Sequence, residues 1–395
     1  MDYLLIPAAE LKERVIKLQK ELLKAGLDGV ILTNNVDIYY YSGTMQNSIL
    51  YIPVENNPVL FVKKSIDRAK NETPFVVEEL TSMKKLPAQI LATGCEISKL
   101  GLDLDIIPYN FFKRIEGVFT NTSFIDISFL VRLQRSIKSP FEIELLNKSA
   151  KAVYEAILEV PNILRLGITE LELSSQLEKL VRDKGDIGYI RTRAYNMELV
   201  LGMVSSGSDA ATSSSFDGPA GGLGLSSAMP QSASFKIIRQ NEPIIIDISA
   251  AINGYIIDQT RMAVIGRLDE ELESAYALSL VIMREIEKNA KPGTLWSEHY
   301  IRALEIVDNA GMSDFFMGYK ENQAKFLGHG VGLELDELPV LAKGLDYILE
   351  EGMVLAIEPK FTFPNKGVIG IENTYVVTKN GLKSLSYSSE DIIYI

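Results

Sequence analysis

Three observations predict an α+β chain in two parts, a smaller α/β domain over residues 1–134 and a larger α+β domain over 135–395. Short apolar strands alternate with helical stretches through the first third. From Ser139 onward the order becomes two helices and then a strand hairpin, and that order recurs once. With 47% hydrophobic and 23% charged residues, the composition is that of a globular chain with well-filled cores and excludes a disordered or fibrous one.

Leu11, Val15, Leu18 and Leu22 follow spacings of four, three and four, one apolar helical face that Gly26 brings to an end. Strands are expected in DGVILT, SILYIPV, PVLFVKK and GLDLDII. The second domain opens with a helix that Ser139 caps, with Pro140 at its first position and Glu142 completing a capping box. Thr169 and Glu172 repeat the box for a helix closed at Gly185, and strands follow in MELVLGMV, PIIIDIS and YIIDQTRMAVIG. A helix from about Leu268 to Asn289, a turn at Pro292-Gly293, a helix from Ser297 to Ala310 and strands in GMVLAIEP and GVIGIENTYVV then repeat the pattern. Two helix-helix-hairpin halves are one reading of this order, and ordinary α+β alternation is the other. Between them, residues 205–234 hold ten serines and five glycines, a loop suited to covering a site. Its GGLGLS stretch lacks the lysine and the strand-turn-helix frame of a phosphate loop.

Charge and cysteine usage narrow the class further. Acidic residues outnumber basic ones 52 to 40, a net charge of -12, which disfavours nucleic acid and anionic membrane surfaces as partners. Cys95 is the single cysteine, so no intrachain disulfide forms and a reducing compartment is expected. The segment MDYLLIPAAELKERV has no signal pattern and no apolar run approaches the roughly 20 residues of a membrane span, so a cytoplasmic location is expected.

The acidic residues are placed unevenly. Asn253-Gly254 is a strong two-residue hairpin signal, and such a turn pairs residues whose numbers sum to 507, Asp247 with Thr260 and Ser249 with Asp258. Asp247 and Asp258 then become diagonal neighbours on one face, roughly 5 to 8 Å apart. A three-residue turn at Pro364-Asn365-Lys366 makes opposing numbers sum to 730 and sets Glu358 against Glu372. Surface carboxylates are the plainer reading of any one of these. Four on two apolar hairpins would repel one another and take up protons, whereas two divalent cations would neutralise them. His329, in FLGHGVGLELDELP, is the candidate fifth ligand, while His299, beside Glu298, is expected to be solvated. One imidazole with four carboxylates suits Mn(II) or Co(II), with Zn(II) and Fe(II) also compatible. Such ions acidify a shared water and polarise a carbonyl, so hydrolysis of an amide or related bond is the expected chemistry.

At these residues the sequence resembles the pita-bread metallopeptidases, the group that includes prolidase, proline-specific aminopeptidase, methionine aminopeptidase and creatinase. RSIKSPFEIELLNKSAKA, GITELEL, DIS through DQTR, GHGVGL, AIEPK and IENTYVVT occur in the family's order, and LKERVIKLQKELLKAGLDGVILT with NVDIYYYSG resembles the N-terminal domain of its prolidase and creatinase branch. The resemblance implies a C-terminal pita-bread fold with an internal pseudo-twofold and a dinuclear site of Asp247, Asp258, His329, Glu358 and Glu372. Asp258 and Glu372 would bridge the ions, and Glu358 would shuttle a proton. It implies hydrolysis of an N-terminal peptide bond by a metal-bridging hydroxide, as in Xaa-Pro aminopeptidases and dipeptidases, and a homodimer.

Four positions depart from the family pattern. Asp336 stands seven residues after His329, and Lys325 four before it, where active peptidases of the proline-specific branch carry histidines. Ser213-Ser214 falls near the usual proline-histidine pair, and Gly370 replaces an arginine two residues before Glu372. Losing one donor to the oxyanion costs roughly 2.7 to 4 kcal/mol, and an ionised Asp336 would repel that charge. Two alternatives therefore stay open: a non-peptide enzyme acting on a small cationic amide or related metabolite, and a binding homologue without turnover.

Overall fold

In the computed structural model, which describes residues 3–95, 97–216 and 218–395, the first helix runs Ala8–Lys24 and buries Leu11, Val15, Leu18 and Leu22. Gly26 follows at a φ of +63°, a conformation glycine adopts without a Cβ penalty. Six strands come next: β1 (Gly29–Leu32), β2 (Ser48–Pro53), β3 (Val59–Val62), β4 (Val76–Glu79), β5 (Lys99–Leu102) and β6 (Ser123–Asp126). They form one sheet in the order β4-β3-β2-β1-β5-β6, with Ile31, Tyr51, Phe61 and Leu100 in the core against it. The strand expected through GLDLDII ends at Leu102. Asp103 leaves the ladder there, and its carboxylate accepts the N–H groups of Thr33 and Asn34 at 3.0 and 2.8 Å. The chain divides into two compact units at Arg135 and Ser136.

Both capping boxes of the larger unit form, Ser139 with Glu142 at the head of Pro140–Leu158 and Thr169 with Glu172 at the head of Glu170–Asp183. After them come β7 (Gly202–Ser206), β8 (Ile244–Ile252) and β9 (Tyr255–Val264), with the Pro140–Leu158 helix packed on β8 and β9. The second half repeats the sequence of elements: helices Glu270–Asn289 and Trp296–Asn309, then β10 (Phe326–Val331) and β11 (Leu335–Ala342). A long hairpin follows, with β12 (Val354–Ile357) and β13 (Lys360–Phe363) on its outward arm and β14 (Gly367–Gly370) and β15 (Asn373–Thr378) on its return. Strands β16 (Gly381–Ser384) and β17 (Ile393–Tyr394) complete sheets ordered β11-β10-β12-β15-β16 and β17-β9-β8-β7, beside the two-stranded β13-β14.

The strand expected over MELVLGMV starts only at Gly202. Farther along, the same edge of β8 is already taken: Asp186 accepts the Ala251 N–H at 2.6 Å, and the Ile187 N–H donates to Ala251 O at 3.2 Å. Residues 197–200 therefore meet no free ladder. The serine- and glycine-rich run begins as β7 and a single turn at Gly207–Ala210 before becoming irregular. Both its ends are tied to the buried carboxylate of Glu170, which accepts from Ser206 N and Oγ at 2.7 and 2.8 Å and from Ser234 N and Oγ at 3.0 and 2.7 Å. Anchored in this way, the run covers the cavity described next.

Candidate metal centre

Turn length sets the register of both acidic hairpins. Around Asn253-Gly254, Asp247 faces Thr260 and Ser249 faces Asp258, so the two aspartates share a face of β8 and β9. The C-terminal hairpin keeps one register through both its ladders, Phe363 opposite Gly367 and Ile357 opposite Asn373. Glu358 and Glu372 occupy the break between those ladders. There Glu372 bridges Thr260 of β9 instead, with N–H to O distances of 3.3 and 3.4 Å in the two directions. This crossing joins the hairpin of the second half to that of the first and brings four carboxylates together.

Asp247, Asp258, His329, Glu358 and Glu372 all line one small cavity of about 40 Å³, with Asp336, Lys360 and the covering segment Phe216, Gly218, Pro219 and Ala220. His329 is buried on β10, and its Nε2 faces Glu358 Oε1 at 3.8 Å and Glu372 Oε1 at 3.9 Å. Its Nδ1 lies 3.3 Å from Asp336 Oδ1. Asp336 reaches it from a left-handed backbone, φ +59°, where β10 and β11 slip register. A carboxylate on the far ring nitrogen fixes the tautomer that a metal-binding imidazole needs.

Ligand atoms of Asp258, His329 and Glu372 lie within 4.8 Å of one another. Glu372 is buried to 1% exposure, and its Oε1 has no hydrogen-bond partner among the described residues. A buried unpaired carboxylate oxygen is costly unless something charged completes it. Two carboxylates and an imidazole around that oxygen are a donor set that fits a divalent ion.

Sequence reasoning missed Lys360. Its Nζ, 1% exposed, donates to Glu358 Oε2 at 2.7 Å, Asp247 Oδ2 at 2.9 Å and Glu372 Oε2 at 3.0 Å. The signal was present, since strand alternation puts Lys360 on the face of Glu358 and the shared register puts Gly370 opposite it. A Cβ on Gly370 would lie 2.5 Å from Pro359 O and 2.6 Å from Lys360 Cα, so the close approach of the opposing backbone is what this glycine permits.

Burial dominates the electrostatics of the cluster. It raises the pKa of Asp258 well above the usual carboxylate range, with Glu372 and Asp247 adding to the shift, and it raises Asp247 and Glu358 against the opposing pull of Lys360. Burial works against a charge on His329 and on Lys360, but the surrounding carboxylates outweigh it and raise both. Of the other departures, Lys325 is exposed and Ser214 Oγ accepts the Phe216 N–H at 3.2 Å. His299 corrects an expectation: it is buried rather than solvated, its Nε2 2.9 Å from Thr294 Oγ1, because it lies on the inward stripe of its helix with Trp296, Tyr300, Ala303 and Val307.

Two hairpins that cross to enclose buried carboxylates and one imidazole define a metal-dependent hydrolase centre. The profile of metallopeptidase family M24 matches residues 144–379, and that of the creatinase/prolidase N-terminal domain matches residues 14–137. The chain belongs to metallopeptidase family M24. It is 27% identical over 386 residues to the Xaa-Pro dipeptidase of Pyrococcus horikoshii, covering 97% of this chain and 99% of that one. Among solved structures, the prolidase from Pyrococcus horikoshii superimposes with a TM-score of 0.81 at 26% identity, over 96% of this chain and 100% of the other. The X-Pro aminopeptidase from Thermotoga maritima superimposes at 0.80 and 26%, over 96% and 99%. The fold is therefore the pita-bread fold preceded by a creatinase-type domain. The chain is a metal-dependent hydrolase of peptide bonds.

Proposed function

We propose that this chain cleaves the N-terminal peptide bond of short Xaa-Pro peptides, with residues 135–395 as the catalytic domain and 1–134 as the creatinase-type N-terminal domain. The observation that carries the reading is the buried Oε1 of Glu372, without a hydrogen-bond partner among the described residues and set among Asp258, His329 and Glu358 at the crossing of the two hairpins. The Xaa-Pro preference rests on the relatives named above.

Asp247, Asp258, His329, Glu358 and Glu372 form the ligand set, with Mn(II) or Co(II) as the ions this oxygen-rich set suits. A divalent ion supplies Lewis acidity to the scissile carbonyl. The chain's own residues do the rest. Glu358, its pKa raised by burial, would accept at Oε1 the proton of the water that adds to the scissile carbonyl and pass it to the amine nitrogen as the C–N bond breaks, while Lys360 holds its Oε2. Asp336 Oδ1 and the Gly330 carbonyl, 3.3 and 3.2 Å from Nδ1, keep the His329 ring turned so that Nε2 faces the cavity. Phe216, Gly218, Pro219 and Ala220 limit water.

A small cationic substrate is the alternative that Asp336 suggests. That carboxylate lies against His329 Nδ1, an arrangement in which its charge serves the imidazole, so the peptide reading is preferred. A cytoplasmic homodimer belongs to the same proposal. No helix is long and apolar enough to cross a membrane among the described residues.

The test is a substrate panel on the full chain supplied with Mn(II) or Co(II): Xaa-Pro dipeptides, longer peptides beginning Xaa-Pro, matched Xaa-Ala peptides and small cationic amides. Xaa-Pro substrates are expected to give the highest kcat/KM. Equal turnover of Xaa-Ala peptides would remove the proline preference, and turnover of the amides alone would replace the peptide reading.

A further inference from the structure

We infer that the ammonium of Lys360 occupies one of the two cation positions of this centre, so that the chain binds one divalent ion rather than two. The inference rests on the metal centre proposed above. Nζ lies 2.7 to 3.0 Å from one oxygen each of Glu358, Asp247 and Glu372, the coordination of a trapped cation by three carboxylates. A metal ion bound to those same oxygens would sit about 2.0 to 2.2 Å from each, inside the contact distance of Nζ. Ammonium and ion therefore exclude one another at that position.

The lysine is built in rather than draped over the site. Its side chain is 1% exposed, and its backbone is held in the β13-β14 ladder opposite Gly370. Its three acceptors divide the cluster. Lys360 engages Oε2 of both glutamates, whereas Oε1 of each faces His329, and the buried Oε1 of Glu372 has no hydrogen-bond partner among the described residues. One half of the cluster is thus already neutralised by the chain itself. The other half, Asp258 with His329 and Glu372, is the half that still needs a cation.

The exclusion is local and steric: the oxygens that hold Nζ are the ones a second ion would need. The consequence for the proposed reaction is a single Lewis-acid position with a fixed ammonium beside it.

Metal stoichiometry tests this without reference to activity. The full chain, stripped with chelator, is titrated with Mn(II) by calorimetry, and the product is read by electron paramagnetic resonance and elemental analysis. The wild-type chain is expected to bind one ion tightly and to give the six-line spectrum of an isolated Mn(II). Lys360→Ala is expected to bind two, with the second at least about 10-fold tighter than any second ion on the wild type and with a spin-coupled spectrum. Lys360→Arg, which keeps the positive charge, is expected to stay at one. Two tightly bound ions on the wild-type chain would overturn the inference while leaving the metal centre intact. No bound ion on the wild type would overturn the metal centre itself. Should Lys360→Ala fail to fold, the wild-type stoichiometry still decides between one and two.

Discussion

His329 has carboxylates toward both ring nitrogens, Glu358 and Glu372 at Nε2 and Asp336 at Nδ1, and the two sides do different work. The Nε2 side is the cavity, and the Nδ1 side sets the ring's orientation. Removing the orienting charge from a metal-binding histidine typically weakens the metal by about 10- to 100-fold. Asp336→Asn is therefore expected to lower Mn(II) affinity by about that factor with KM for peptide nearly unchanged, read by calorimetry and by initial rates at saturating metal. A raised KM with unchanged metal affinity would instead place Asp336 on the substrate. His299 makes a separate prediction, because burial lowers its pKa from 6.5. The folded chain resists protonating His299 while the unfolded chain accepts the proton, so its contribution is present above about pH 6.5 and is lost as pH falls through the lowered folded value. His299→Gln should therefore lose less stability than the wild type between pH 7.5 and 5.5, measured as the shift in urea midpoint. A parallel loss in both proteins would assign the acid sensitivity elsewhere.

Glu170 does at the scale of an element what Lys360 does at the site, gathering groups distant in sequence around one buried charge. Four of its hydrogen bonds tie Ser206 and Ser234, the two ends of the run that covers the cavity. Leaving buried donors unpaired costs about 1 to 3 kcal/mol. Glu170→Ala should lower unfolding stability by about that amount and speed amide exchange at Ser206 and Ser234, and unchanged exchange there would mean the run is held elsewhere. This tie was not legible in the sequence, since nothing in the spacing of Glu170, Ser206 and Ser234 brings them together. The acidic hairpins were legible because turn length fixes register: Asn253-Gly254 and Pro364-Asn365-Lys366 each assigned the carboxylates their places. Met197–Leu201 misled because a strand is defined by a free partner edge, which the Asp186 segment had taken. His299 was misplaced because its neighbour Glu298 was weighed above the helical stripe it shares with Trp296 and Ala303. Lys360 was overlooked although the register that placed Glu358 and Glu372 placed it as well.

Over the whole molecule, the apolar hairpins are stable enough to hold carboxylates where water would otherwise solvate them. Burial raises the pKa of Asp258 and of Glu358, so without metal their contribution to stability is fully present below the ordinary carboxylate pKa and is lost as pH rises through the raised folded values. A divalent ion reverses that loss. At 100 times its Kd it stabilises the fold by about 2.7 kcal/mol, so Mn(II) should raise Tm, and by more at pH 8 than at pH 6. An equal shift at both values would uncouple metal binding from these carboxylates. The proposed homodimer predicts twice the chain mass by light scattering at micromolar concentration, and monomer throughout would remove it. Peptide hydrolysis by this chain is expected to depend on a divalent ion held where the two hairpins cross. The most direct test is the rate of Xaa-Pro dipeptide cleavage by the full chain after chelator treatment, before and after Mn(II) or Co(II) is restored, beside Glu372→Gln. No turnover is expected in the stripped chain, with recovery on adding the ion and little recovery in Glu372→Gln. Turnover that survives chelation, or full recovery in Glu372→Gln, would contradict it.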